Sequence, residues 1–97
     1  MSILEQVKMS PAACLPFVIV DQETGKVANF WNVNPSGDYA DDCETGRAFA
    51  YDLIDHIADT QFTGIFDRVT DAMPRGDART GIERGFCHVF AAAAARP

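Results

Sequence analysis

Three classes of signal are scarce in this chain. Cysteine occurs only three times, at Cys14, Cys43 and Cys87. An odd and widely spaced set is not a disulfide framework, and it predicts reduced thiols that mostly pack as small hydrophobes. No apolar run is long enough to span a bilayer. The first residues, MSILEQVK, lack a basic region followed by an apolar core, so the expected location is the cytoplasm. Basic residues are the third scarcity: 8 Lys and Arg stand against 14 Asp and Glu, a formal net charge of −6. That balance argues against direct contact with nucleic acid or an anionic membrane, both of which need basic patches.

Catalytic signatures are missing as well. There is no G-x-S-x-G, no P-loop and no G-x-G-x-x-G. His56 lies four residues after Asp52, and His88 follows Cys87, but neither spacing matches a metal site. His56 reads as one half of a surface ion pair, and His88 as a core-edge histidine. Cys87 and His88 are helical neighbours pointing about 100° apart and do not form a thiol–imidazole pair. Pairing of Cys14 or Cys43 with His88 has no support in the pattern. The expectation is a non-enzymatic protein without metal or cofactor.

What is present begins with the stretch from Asp38 to Asp59. Asn34 to Gly37 is turn chemistry. Asp38 has the character of an N-cap, and Asp41 and Asp42 suit the positive end of a helix dipole. Ala40, Cys43, Ala50, Tyr51, Ile54, Ile57 and Ala58 recur at helical spacing as an apolar stripe. The stretch holds seven acids and one base, Arg47, so its balance equals the net charge of the whole chain. Asp41, Glu44, Asp52, Asp55 and Asp59 fall mostly on the other side. They form either a solvated face or a surface for a basic partner.

The clearest local signal lies earlier. Phe17–Asp21 and Lys26–Val33 are β-rich runs flanking a short polar loop, with Gly25 where a positive φ is needed. This predicts a hairpin. Two strands alone are marginal, so the hairpin needs helices on one face and a third strand, the N-terminal segment or another subunit at the other. That deficit predicts a homodimer. Trp31, Tyr39 and Arg47 are candidates for a pocket at the junction of hairpin and central helix.

Two further helices are expected, and a third, short one is open at Ser2–Met9, where two turns alone are marginal but Ser2 and Glu5 have capping-box spacing. Gln61–Met73, with Thr60 as cap, places Phe62, Ile65, Phe66, Val69 and Met73 on one side. The last begins with the capping box Thr80–Glu83, and Ile82, Phe86, Val89, Phe90 and Ala93 form its stripe. Gly81 and Gly85 weaken that helix. They make sense if the Cys43, Gly46 and Ala50 strip crosses there at backbone contact.

The expected architecture is α+β over residues 1–97 as one domain: an N-terminal hairpin, extended by a third strand or a partner subunit, packed on about three helices. The expected function is a small cytoplasmic interaction module that binds a protein partner and self-associates. The alternatives are an acidic mimic of nucleic acid that inhibits a DNA-binding protein or defence enzyme, and a small-molecule binder or minor enzyme using the hairpin–helix junction.

Overall fold

The computed structural model describes residues 11–95. The short helix left open at Ser2–Met9 lies outside the described residues. After a single 3-10 turn at Pro11–Cys14, the chain forms β1 (Ile19–Val20), β2 (Val27–Asn29), α1 (Tyr39–Thr60), α2 (Ile65–Ala72), a 3-10 turn at Gly76–Ala78, and α3 (Gly81–Ala94). This is the α+β arrangement of an N-terminal hairpin followed by three helices. No helix among the described residues is long and apolar enough to cross a membrane.

The hairpin is antiparallel, with Ile19 opposite Asn29 and Val20 opposite Val27, and an irregularity in register between Ile19 and Val20. Gly25 sits at φ 72° in the connecting loop, where a side chain would be strained. Pairing continues past the strands, because the Asn32 amide donates to the Phe17 carbonyl at 2.7 Å. That bond fixes Phe17 and Trp31 beside each other, and both turn inward.

Asp38 caps α1, its carboxylate accepting from the Asp41 amide at 3.0 Å. The helix ends at Gln61, which adopts the left-handed conformation at φ 61°. That conformation breaks the chain one residue after α1 and overturns the expectation of a helix starting at Gln61. The α2 helix begins only at Ile65. Thr60 is not its cap; its hydroxyl donates back to the His56 carbonyl at 2.8 Å. Ile65, Val69 and Met73 are buried as the spacing predicts, whereas Phe62 falls outside the helix and is 48% exposed.

The buried face of α1 consists of Asp42, Gly46, Ala50, Leu53 and His56. It is rotated from the expected stripe, since Ala40, Tyr51 and Ala58 are exposed. The reason is the crossing with α3. A Cβ placed on Gly46 would lie 1.9 Å from the Ile82 carbonyl oxygen, and one on Gly85 would lie 2.1 Å from the Cys43 carbonyl oxygen. Both distances are far inside van der Waals contact, so only glycine fits. Backbone approach at these two points turns the Asp42–Gly46 side of α1 toward α3, against the pull of the more apolar flank. The expected close crossing of the two small-residue strips is therefore present.

Around this crossing the core is aromatic. Phe17 packs on Trp31, Phe49 and Phe86, with ring centroids 5.1, 5.2 and 6.1 Å away. Trp31 meets Phe86 nearly edge-on at 5.0 Å, a geometry that adds to simple burial. Glu83 lies within this apolar surround. It accepts from the Trp31 indole N–H at 2.7 Å and from the Thr80 hydroxyl at 2.7 Å, and it closes the capping box with the Thr80 amide. One carboxylate thus joins the hairpin to the start of α3.

Candidate functional site

At 100° per residue, Asp41, Glu44, Asp52, Asp55 and Asp59 fall within an arc of about 80° and span about 27 Å of α1. All five are exposed. The buried residues of the helix cluster on the other side, so the row faces outward along its whole length. No described cation pairs with it: the sole ion pair among the described residues is Arg75–Asp71 at 4.0 Å, on exposed side chains. The row also runs into the last turn of α1, which contains Asp59 and no base. Acids are unfavourable there, because the helix dipole is negative at that end.

Asp42 belongs to the same acidic segment but does other work. It is buried and accepts from both the amide and the hydroxyl of Ser36 at 2.8 Å. These bonds, the amide first, hold its carboxyl below the usual carboxylate range. It clamps the turn before α1. Its expected role as a first-turn dipole partner is thus joined by that of a clamp on the preceding turn.

The acidic row frames a cleft of about 480 Å³ at its C-terminal half, lined by Asp52, Asp55 and Asp59 together with Cys14, Leu15 and His56. Within it, Cys14 Sγ lies 3.6 Å from His56 Nδ1. His56 is buried rather than a surface ion-pair partner, and Cys14 is exposed rather than packed as a small hydrophobe. Cys43 and Cys87 are half-buried, and all three thiols are free. The residues joined in this pair are 42 apart in sequence. No local pattern signals them, and their proximity depends on how the Pro11–Cys14 turn lies across α1.

The structure separates the three residues expected at a hairpin–helix pocket. Trp31 is 5% exposed within the core and bound to Glu83. Tyr39 and Arg47 instead line a second cleft, beside the α1–α3 crossing, with Arg79, Arg84 and His88. His88 is exposed there, not at the edge of the core. The Tyr39 phenol is raised above its ordinary value, chiefly by its hydrogen bond with Cys43. Arg79 and Arg84 carry no local signal, but both flank a glycine-lined crossing, where long side chains collect at the rim.

A third cleft, of about 540 Å³, does lie at the hairpin. It is bordered by Val27 and Phe30 from the hairpin, His56 from α1, Phe62 from the α1–α2 connection, and Ile65 and Arg68 from α2. Its walls are largely apolar, with Lys26 and Arg68 at the margin.

No group of three or more His, Cys, Asp or Glu among the described residues is arranged to hold a metal. Comparison with protein-family models, with curated proteins and with solved structures finds no match.

Proposed function

We propose that this protein is a small, non-enzymatic interaction module that presents the α1 carboxylate row to a basic segment of a partner protein. The observation that carries the reading is the row's electrostatic cost. Asp52, Asp55 and Asp59 stand three and four residues apart, where like charges repel. The row continues into the helix end where the dipole opposes it, and no described cation offsets it. Departures from local rules that serve no packing purpose concentrate where a surface is used.

The row is single-file, with a gap of about 12 Å between Glu44 and Asp52. This suits a short Lys/Arg-rich segment better than a protein surface built to follow a long nucleic-acid backbone. The test is calorimetric titration with a Lys/Arg-rich helical peptide, comparing the wild type with the Asp52→Asn/Asp55→Asn/Asp59→Asn variant. Affinity is expected to fall at least about tenfold in the variant. It should also weaken as salt rises from about 0.1 M to about 1 M, which shortens the screening length from about 10 Å to about 3 Å. Equal binding by the two proteins would end this reading.

Self-association through the hairpin is the second component. Its support is the exposure of Ile19 at 45% and Phe62 at 48% beside a two-stranded sheet. Such an edge is open to pairing. Native mass spectrometry at low micromolar concentration is expected to give a dimer that Ile19→Lys converts to monomer. A monomer for the wild type would remove this component and leave the acidic row as it stands.

A further inference from the structure

The cleft beside the α1–α3 crossing has a charge opposite to that of the α1 carboxylate row. Of the eight basic residues in a chain of net charge −6, three line this one cleft: Arg47 from α1, Arg79 from the loop before α3, and Arg84 from α3. No Asp or Glu lines it. Among the described residues, none of the three forms an ion pair.

The crossing explains the convergence. Gly85 rests on the backbone of Cys43, so no side chain separates the helices at the seam. Long side chains adjacent to the seam then rise on its two sides. Arg79 is tethered by its own contacts, Nε donating to the Pro74 carbonyl at 3.0 Å and Nη1 to Cys87 Sγ at 3.7 Å. That tether reduces the ordering needed when a ligand arrives. Tyr39 is 62% exposed and lines the cleft with His88, which offers a planar group an aromatic surface. The volume of about 540 Å³ falls in the range of small-molecule sites, roughly 300–1,000 Å³. It exceeds what a bare oxyanion fills.

We infer that this cleft binds a small phosphate monoester, its phosphate held by Arg47, Arg79 and Arg84 and its organic part lying against Tyr39. Guanidinium forks match the oxygens of a phosphate in paired hydrogen bonds. Three of them arriving from three separate segments suit a dianionic tetrahedral group better than a planar monoanion. The site is distinct from the carboxylate row and does not depend on the function proposed for it.

The experiment is a two-dimensional amide NMR titration of the full chain in low-chloride buffer. The probes are phenyl phosphate, inorganic phosphate and benzoate. Phenyl phosphate is expected to give saturable shifts at Tyr39, Cys43 and Arg84–His88, with a Kd of about 1 mM or tighter. Inorganic phosphate should bind more weakly at the same amides, and benzoate more weakly still. Arg47→Gln and Arg84→Gln alter side chains outside the core, and their spectra report folding directly. Each should weaken phenyl phosphate about tenfold. The proposal is overturned by the absence of saturable shifts, by benzoate binding as well as phenyl phosphate, or by variants that bind like the wild type. It is also overturned if the same amides shift on protein concentration alone, since the occupant would then be the acidic row of a second copy.

Discussion

The two faces of α1 are held to opposite standards. The inward face tolerates no added atom at Gly46, and it buries Asp42 only because Ser36 satisfies the carboxylate twice. The outward face carries five exposed acids without a described counter-ion. Sterics and hydrogen bonding therefore decide the first, and nothing in the described fold requires the second. A helix can place its structural demands on one side and leave the other available for binding, provided the crossing partner fixes its rotation.

The inward face predicts the largest effects. Gly46→Ala and Gly85→Ala each drive a Cβ into backbone that cannot yield without moving a helix. Unfolding by denaturant should show a loss of about 3 kcal/mol or more, at or beyond the upper end for overpacked cores. Gly85→Leu should fail to fold. Wild-type melting for any of these would break the close crossing. At Gly37 a Cβ meets nothing within 4 Å. Gly37→Ala should lose only about 1 kcal/mol, from backbone strain at positive φ.

The next effect concerns Glu83. Glu83→Ala removes the acceptor of a buried indole N–H and one side of the α3 capping box. It should destabilise by about 2–3 kcal/mol in the same assay, with the Trp31 fluorescence changing as its hydrogen bond is lost. Glu83→Gln keeps an acceptor for Trp31 and should lose about half as much. Equal losses would mean that charge, not the hydrogen bond, joins hairpin to helix.

A pH series follows from the same residue. Burial pushes the Glu83 carboxyl up, but bonds from Trp31 and Thr80 outweigh it and leave it below its ordinary value of 4.5. Asp42 is likewise lowered from 3.8 by Ser36. A carboxyl with a depressed folded-state pKa stabilises fully above its unfolded value and loses that contribution as pH falls through the folded one. Stability should therefore hold through neutral pH and decline below about pH 4.5. The decline should be shallower in Glu83→Gln. An unchanged slope would remove Glu83 as its source.

A smaller change of opposite sign is expected where α1 ends. Gln61 holds the left-handed conformation at φ 61°, which glycine adopts without penalty. Gln61→Gly should raise stability by up to about 1 kcal/mol. Destabilisation would show that the bond from the Gln61 side chain to the Ala58 carbonyl at 2.8 Å outweighs the strain.

Much of the fold was readable because its signals are local. The Thr80–Glu83 capping box, the Asp38 cap and Gly25 in the hairpin loop each work within a few residues. The crossing was readable because Gly46, Gly81 and Gly85 weaken helices unless something approaches. The rotation of α1 was not, because Asp42 and His56 occupy inward positions and Tyr51 an outward one. Polarity inverts there because Ser36, in the turn before α1, satisfies Asp42, and Cys14, 42 residues away, lies against His56. The start of α2 is not legible, because the apolar spacing at Phe62 continues through a left-handed break that Gln61 does not announce. The carboxylate row could be read from spacing alone. The arginine cleft could not, since it assembles from three segments only after the helices cross.

The claim that the outward face is surplus to folding can be tested without knowing any partner. The measurement is the unfolding free energy of Asp52→Asn/Asp55→Asn/Asp59→Asn in urea at low ionic strength. Removing mutual repulsion and the unfavourable helix-end charge should leave stability unchanged or raise it by up to about 1 kcal/mol. A loss of more than about 1 kcal/mol would mean that these carboxylates hold the fold together, and the row would no longer be free for a partner.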